Sequence, residues 1–301
     1  MRSPQPLLLA SLFLSACTLN VVSLEYELSE TSTVPFTAVH LDAFSDGSWD
    51  SASITVRGST RSDALARARL TALQQPGSSS MALAEGWSLA WNAYESEAIA
   101  LQILTPPDGP AWLDALDLEV PSATPLVLNT GRHALDVSGL DARVDVEATS
   151  GAMNVETSDV VNLRTSSGSM EVVAQAGVIE GDSGSVDFTF GDWVRAQTTS
   201  GSIDGEMGDG GSVQSNSGSI DLRLTRPLTR DLRIENRSGS IDLDVPRDMP
   251  CTLEVTNGSG SVDVDLGSVQ EHGGGMRIDV AGGGPLLQVM NESGSITITS
   301  H

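Results

Sequence analysis

The residue with the most specific chemistry in this chain is Cys17, which follows a short apolar run over residues 7–14. The only charge before that run is Arg2, and the residues that join the run to the cysteine are small, Ser15 and Ala16. A run this short does not span a bilayer, but it suits the apolar part of a cleaved signal peptide. A thiol at this place can form a thioether to diacylglycerol, and small residues before it allow a signal peptidase to close on the backbone.

Leu14-Ser15-Ala16-Cys17 resembles the lipobox of bacterial lipoproteins. We therefore expect residues 1–16 to be a signal peptide and Cys17 to be the lipidated first residue of a secreted protein; the alternative is a simple signal peptide. Several acyl chains give stable anchoring without a transmembrane helix. Thr18, rather than Asp, after the cysteine indicates the outer membrane if the host follows the enterobacterial sorting rule.

A carboxylate recurs at one fixed place in the C-terminal half of the chain. The residues concerned are Asp187, Asp204, Asp221, Asp242 and Asp263. On the outer face of stacked strands they would lie about 4.8 Å apart, and each pair would repel by about 1 kcal/mol even in water. We interpret the row as a solvated face that resists aggregation. The alternatives are a stripe that binds Ca²⁺ or a cationic surface, and the clustered carboxylates of a polysaccharide-cleaving enzyme, although no separate acid–base pair accompanies the row.

The remaining reactive residue types form no catalytic or metal-binding pattern. Four histidines are scattered without metal-ligand spacing: His40, His133, His272 and His301. Cys251 is the second cysteine; with Cys17 lipidated no internal disulfide can form, and we expect Cys251 to be a small buried apolar residue. The repeated Ser-Gly-Ser is not the G-x-S-x-G turn of a hydrolase. We therefore expect no catalytic residues, no bound metal and no cofactor.

The net charge of −24 limits the partners of this 301-residue chain. Sixteen basic residues, all arginine, stand against 40 acidic ones. Such a protein does not bind nucleic acid or anionic headgroups through its overall charge. Its membrane contact must come from the N-terminal lipid, and its further partner could be a protein or a glycan.

One short motif, Ser-Gly-Ser or Ser-Gly-Ala followed by an apolar residue, occurs eight times. Its glycines are Gly151, Gly168, Gly184, Gly201, Gly218, Gly239, Gly260 and Gly294, at spacings of 17, 16, 17, 17, 21, 21 and 34 residues. Apolar residues stand two and four places after each glycine, except at Gly205, and mostly seven and five places before it. Each repeat is thus predicted to be a strand, a glycine turn with positive φ, a second strand and a second turn.

Two short strands cannot form a stable sheet alone, whereas equivalent strands stacked coil on coil can. The near-constant period therefore predicts an all-β protein built as a parallel β-helix or β-solenoid. A β-sandwich or meander is the alternative. Residues 267–285 would be an insertion or a decayed coil.

Residues 17–115 are less regular, and we expect an irregular, mainly-β N-terminal cap region before solenoid repeats over residues 116–301. Strands are predicted at residues 53–56 and 99–104. Ser62 could cap a short helix over residues 63–75, and the rival interpretation makes that segment β as well.

Units such as Ser219-Ile220-Asp221 and Ser240-Ile241-Asp242, each preceded by Ser-Gly, resemble the bacterial "putative adhesin" family of β-strand-repeat proteins. Residues 116–121 (LDLEVP) and 126–131 (LVLNTG) are similar to the way that family leads into its repeats. The resemblance covers residues 115–301. It implies a β-helical fold and an envelope location, and it supplies no catalytic residues.

These observations predict a non-catalytic, lipid-anchored cell-envelope protein that presents a β-solenoid as an adhesin-like or scaffold surface. The alternatives are a polysaccharide-active β-helix enzyme and an envelope-stress sensor that acts through a protein partner.

Overall fold

The computed structural model describes residues 22–33, 35–42, 52–74, 88–94, 98–104, 111–247, 249–267, 270–272 and 275–301. Cys17 and the predicted signal peptide lie outside these residues. The described residues form strands and turns, and they include no helix that could cross a membrane. Two compact units are present, Met1–Ala142 and Arg143–His301. The predicted domain boundary between residues 115 and 116 stays a prediction.

The first unit contains these strands within its described part: β1 (Val22–Thr31), β2 (Ala38–Asp42), β3 (Ser53–Ser59), β4 (Leu65–Gln74), β5 (Ser88–Ala93), β6 (Ala98–Leu104), β7 (Ala111–Pro121), β8 (Leu126–Thr130) and β9 (Ala134–Leu140). The strands predicted at residues 53–56 and 99–104 are confirmed as β3 and β6. β2 pairs in parallel with both β6 and β8, and β3 pairs in parallel with both β7 and β9. The coil β2–β3 therefore lies between β6–β7 and β8–β9, although it precedes both in the sequence.

The helix predicted over residues 63–75 is wrong, and the rival β interpretation is right. The segment forms β4, which pairs antiparallel with β1 on one side and β7 on the other. Ala66, Ala68 and Leu70 are buried, while Arg67 and Arg69 between them are more exposed. Ala, Arg and Leu favour helices in isolation, but burial of one face between two strands outweighs that preference.

The second unit contains the strands of the eight repeats and two additional strands: β10 (Val144–Ala148), β11 (Met153–Thr157), β12 (Val160–Ser167), β13 (Met170–Ala174), β14 (Ala176–Ser183), β15 (Val186–Phe190), β16 (Val194–Ser200), β17 (Ile203–Met207), β18 (Gly211–Ser215), β19 (Ile220–Leu224), β20 (Leu232–Ser238), β21 (Ile241–Val245), β22 (Cys251–Asn257), β23 (Val262–Asp265), β24 (Gln270–His272), β25 (Gly275–Val280), β26 (Leu286–Ser293) and β27 (Ile296–Ser300).

Each repeat contributes one strand to each of two sheets. Strands before the glycine turn form the upstream sheet, in the order β10, β12, β14, β16, β18, β20, β26, β22, β25. Strands after the turn form the downstream sheet, in the order β11, β13, β15, β17, β19, β21, β27, β23, β24. Repeat strands pair in parallel, as in β19–β21 and β20–β26. The predicted β-solenoid is confirmed.

Side chains alternate between the interior and the outer face along the repeat strands. In β19, Ile220 and Leu222 are fully buried while Asp221 is exposed. Stacked coils bring Ile203, Ile220 and Ile241 into register. Each such side chain contributes about 1.5–3 kcal/mol by leaving water, so the core is a set of aliphatic ladders between the sheets.

The repeat glycines are required by both conformation and space. Their φ angles run from +110° at Gly184 to +141° at Gly201, a region that side chains disfavour. A Cβ on Gly168 would lie 2.0 Å from the carbonyl oxygen of Gly151 in the preceding coil. The predicted positive-φ turn is confirmed.

Gly205, the exception in the apolar pattern, makes room for a larger neighbour. It is in register with Phe188 of the adjacent coil, and a Cβ at Gly205 would lie 2.4 Å from the ring of that phenylalanine. One aromatic side chain thus fills the core space of two repeats.

The stacking order departs from the chain order at the last repeat. β26 pairs with β20 and β22, and β27 pairs with β21 and β23. The last coil therefore lies between two coils that precede it in the sequence.

Residues 267–285, predicted to be an insertion or a decayed coil, contain an insertion of strands that run the opposite way. β24 pairs antiparallel with β23, and β25 pairs antiparallel with β22. They cover the strand edges of the coil β22–β23, edges that would otherwise invite pairing with other chains.

Candidate functional site

The outer face of the downstream sheet carries a row of carboxylates in register. Parallel pairing aligns Glu171 with Asp187, Asp187 with Asp204, Asp204 with Asp221, and Asp221 with Asp242. We call these five residues the acidic column. Because the pairing is parallel and unshifted, successive carboxylates are about one strand spacing apart.

One member of the predicted row does not adjoin the others. Thr297 of the last coil is in register with Asp242 on one side and with Asp263 on the other. The out-of-order stacking places a threonine between these two aspartates. The expectation of five stacked aspartates is therefore corrected: four of them, extended by Glu171, form the continuous column.

Mutual repulsion and partial burial act on the acidic column. The pKa of Asp187 is raised, first by burial and then by the charges of Asp204 and Glu171. The pKa of Asp221 is raised in the same way, first by burial and then by neighbouring aspartates that include Asp204 and Asp242. Within the described part of the chain, no arginine forms a salt bridge with the column. Its negative charge is thus presented to solvent.

The neighbouring outward row of the downstream sheet is partly neutralised. Arg223 lies 3.7 Å from Glu206 and 3.8 Å from Asp244, the residues on either side of it in the register. One guanidinium therefore serves two carboxylates, whereas the acidic column has no such partner.

The upstream sheet has a different outer face, on which acids are paired with arginines. Arg164 lies 2.6 Å from Glu180, and Arg233 lies 3.0 Å from Glu235. The first pair joins the neighbouring strands β12 and β14, and the second lies within β20. The solenoid repeats therefore present one acidic face and one nearly neutral face.

The corner opposite the glycine turns contains a buried carboxylate. Asp209 is 2% exposed and accepts hydrogen bonds from the backbone amides of Thr229 (2.7 Å) and Arg230 (3.1 Å) and from the Thr229 hydroxyl (2.5 Å). Burial alone would raise its pKa, but these bonds and one from the Gly210 amide lower it to about 2. Asp209 thereby fixes the longer turn of the 21-residue repeat.

Two arginines of that turn are also held by carboxylates. The guanidiniums of Arg226 and Arg230 each lie 3.4 Å from the carboxylate of Asp192. Arg226 also donates a 2.6 Å hydrogen bond to the carbonyl of Gly208. The cluster is charge-balanced, so we assign it to turn structure.

Sequence reasoning missed a polar ladder inside the glycine corner. The residue three places before the glycine points inward, yet in six repeats it is polar and buried: Thr165, Thr198, Ser215, Asn236, Asn257 and Asn291. The side-chain amide of Asn236 donates to the Gly218 carbonyl at 2.8 Å, and that of Asn291 donates to the Gly239 carbonyl at 2.8 Å. The signal was available as a polar residue that recurs on the apolar face at a constant offset from the glycine.

No metal or nucleophile site is built from the described residues. They contain no group of three or more His, Cys, Asp or Glu side chains arranged to hold a metal ion. Cys251 is fully buried, and burial raises the pKa of its thiol to about 11, so it is a poor nucleophile. His133 is buried with Nδ1 3.2 Å from the Ala52 carbonyl, and His301 lies 3.0 Å from Asp244. Cys17, the predicted lipidation site, lies outside the described residues.

The protein-family model described as "Toastrack DUF4097" matches residues 117–299, more than half of the chain. The chain belongs to the Toastrack DUF4097 family. The match begins within β7 and ends within β27, so the Toastrack region includes all the glycine-turn repeats. No curated protein matches the chain.

Three solved structures align with most of the chain at low identity. A "putative adhesin" from Bacteroides fragilis NCTC 9343 is 11% identical, with coverage of 91% of this chain and 97% of that one and a TM-score of 0.39. A "putative cell adhesion protein" from Clostridium sporogenes ATCC 15579 is 10% identical, with 92% and 100% covered and a TM-score of 0.25. A "putative adhesin" from Parabacteroides distasonis ATCC 8503 is 9% identical, with 90% and 96% covered and a TM-score of 0.27. The fold assignment rests on the Toastrack match and on the strand pairing of this chain.

Proposed function

We propose that this Toastrack protein is a non-catalytic, lipid-anchored cell-envelope protein that uses its β-solenoid as an adhesin-like or scaffold surface. The observation that carries the proposal is the acidic column, which no arginine neutralises among the described residues, beside an upstream face whose acids are paired. Five successive coils carry a carboxylate at the same place. A surface of this kind suits many weak, equal contacts with a positively charged surface or polymer, and such contacts gain strength through multivalency.

The anchor is the second part of the proposal and rests on residues 1–18. Lipidation of Cys17 would hold the solenoid at a membrane that its negative charge cannot bind directly. The lipobox-like Leu14-Ser15-Ala16-Cys17 supports this anchor, and Thr18 supports the outer membrane.

Attachment under flow tests the adhesive role. Vesicles that carry the full-length lipoprotein are passed over a polylysine film and over a neutral dextran film. We expect attachment to polylysine that weakens as salt is added, because screening shortens the reach of exposed charges. The triple variant Asp187→Asn/Asp204→Asn/Asp221→Asn should lose most of the attachment to polylysine.

A matched variant controls for net charge. Glu147→Gln/Glu180→Gln/Glu235→Gln removes the same number of negative charges from the outer face of the upstream sheet, and it should keep attachment close to that of the wild type. Equal losses in the two triple variants would contradict a role for the acidic column. Release of reducing ends from a panel of polysaccharides would contradict the non-catalytic assignment and favour the enzyme alternative.

A further inference from the structure

The outer face of β2, β6 and β5, in the first unit, presents an aromatic side chain to solvent. The strand order in this part of the sheet is β8, β2, β6, β5. His40 of β2, Ala100 of β6 and Asn92 of β5 are in register across it. Val39 and Leu41, on either side of His40 in the chain, are buried in the core. His40 and the two residues in register with it therefore face outward.

Two aromatic rings meet on this face. Tyr94 directly follows β5, and its backbone amide donates to the Ala98 carbonyl at 2.8 Å, so the pairing of β5 with β6 extends to it. The centroids of the Tyr94 and His40 rings are 4.5 Å apart. Ala100, the outward residue of the strand between them, is small enough to let the rings meet above it. Tyr94 is nevertheless 51% exposed and, with Val173, is one of two exposed large apolar side chains among the described residues.

A pair of side-chain amides adjoins the two rings. Asn92 lies two residues before Tyr94, and its amide nitrogen donates to the side-chain oxygen of Gln102 at 3.0 Å. Both side chains are exposed. Each amide has two donor hydrogens and a carbonyl oxygen with two lone pairs. After their mutual bond, the pair can thus still donate to and accept from a ligand at adjacent places.

The strand that carries these groups is held in place. Leu89 of β5 is buried in the core, and the indole of Trp91 donates to the Glu30 carbonyl of β1 at 3.3 Å. Tyr94 and Asn92 therefore need little ordering when a ligand binds, which lowers the entropic cost of binding.

The face is almost neutral, although the chain has a net charge of −24. β5, β6 and β8 contain no charged residue, and β2 contains one acid, Asp42, at its end. An uncharged ligand suits such a face better than a cationic one. An exposed aromatic ring with adjacent amides also matches the chemistry of a sugar: pyranose C–H groups pack on the negative face of the ring, and hydroxyls bond to the amides.

We propose that the outer face of β2, β6 and β5 binds a neutral β-linked glucan, with one pyranose ring packed on Tyr94 and its hydroxyls bonded to Asn92 and Gln102. In a β-linked glucan every ring hydroxyl is equatorial, so the faces of the ring present C–H groups. An open sheet face also admits a unit from the middle of a chain. This site does not depend on the acidic column and adds a neutral ligand to the cationic surface proposed above.

Affinity electrophoresis of the full-length protein in detergent tests this site. Native gels are cast with mixed-linkage β-glucan, with dextran or without polysaccharide. We expect β-glucan to retard the wild type, and dextran to retard it several-fold less because its α-1,6 linkages add a rotatable bond to every unit. Tyr94→Ala should lose most of the retardation, Tyr94→Trp should retain it, and Asn92→Ala/Gln102→Ala should weaken it.

Val173→Ala is the matched control, because it removes the other exposed large apolar side chain; it should be retarded like the wild type. Asp187→Asn/Asp204→Asn/Asp221→Asn should also keep its retardation relative to the gel without polysaccharide, and added salt should leave it unchanged, in contrast to attachment to polylysine. Failure of β-glucan to retard the wild type, or equal losses in Tyr94→Ala and Val173→Ala, would overturn the proposal and leave the role of the acidic column untouched.

Discussion

Adjacent residues of β19 have opposite environments, and the difference can be measured. Ile220 is fully buried between Ile203 and Ile241, whereas Asp221 is exposed between Asp204 and Asp242. Truncation of Ile220 to Ala should lower the free energy of unfolding by about 2–5 kcal/mol because a cavity remains in a packed ladder. Asp221→Asn should be near neutral or stabilising because it relieves repulsion.

Urea denaturation of both variants checks this pair, and Ile241→Ala with Asp242→Asn repeats the comparison one coil away. A larger loss from the aspartate variants would mean that the inward and outward residues are reversed.

Asp209 makes stability depend on pH. Its pKa of about 2 lies below the ordinary value of 3.8 because the folded turn donates hydrogen bonds to the charged form. A depressed carboxyl pKa means that the unfolded chain binds the proton more readily, so Asp209 stabilises the fold above pH about 4 and loses this contribution as the pH falls towards 2. The contribution is worth about 2 kcal/mol.

The free energies of unfolding of wild type and Asp209→Asn should therefore differ at pH 7 and nearly converge at pH 2. The exposed Asp182→Asn variant serves as the control and should follow the wild type at both values. A difference that stays constant between pH 7 and pH 2 would contradict the role assigned to Asp209.

At the scale of the strand and sheet, the acidic column predicts how salt affects stability. The raised pKa values of Asp187 and Asp221 mean that their charged forms destabilise the fold, a cost that is absent below their ordinary pKa and grows as the pH rises through their titration. Added NaCl should raise the melting temperature, since screening acts over about 8 Å at physiological ionic strength. Asp204→Asn/Asp221→Asn/Asp242→Asn should show a smaller rise.

CaCl₂ at matched ionic strength distinguishes screening from binding. We expect at most a modest additional rise in melting temperature. A large rise that is specific to Ca²⁺ and disappears in the triple variant would show a metal site, because a bound ion stabilises the folded state by mass action.

The strands of the repeats could be predicted from the sequence, because apolar and polar residues alternate along them and their apolar residues stand at fixed offsets from the turn glycine. The same alternation is present in residues 66–70, Ala-Arg-Ala-Arg-Leu, but the helix propensity of these residues and the candidate cap at Ser62 also favour a helix there. The segment forms a strand because it pairs with β1 on one side and β7 on the other. These tertiary contacts cannot be deduced from the local propensity of its residues.

The order of the coils could not be predicted from the repeats. Every repeat carries its glycine and inward residues at nearly the same offsets, so each repeat fits beside any other with the same register. The 34-residue interval before Gly294 indicated an insertion, but the side on which the last coil would stack depends on β24 and β25. Four members of the acidic column were consequently predicted, whereas Asp263 was wrongly included in the row and Glu171 was left out of it.

At the scale of the whole molecule, the anchor prediction concerns residues outside the described strands. Cys17→Ser should remove the thiol that accepts the lipid, so the wild type should enter the detergent phase of a Triton X-114 separation while the variant remains unprocessed or unlipidated. Cys251→Ser is the matched control and should partition like the wild type. Equal partition of wild type and Cys17→Ser into the aqueous phase would contradict lipidation.

The last coil also determines where the solenoid can begin to unravel. A coil at the end of a stack opens by breaking one hydrogen-bond ladder in each sheet, whereas β26–β27 must break two in each. Force applied at His301 would thus pull on an interior coil. The force needed to unfold the solenoid from this end should be higher than for a solenoid whose C-terminal coil is the outermost one. Amide protons of β27 should accordingly exchange with deuterium more slowly than those of β24, which pairs on one side only, although β27 lies further along the chain.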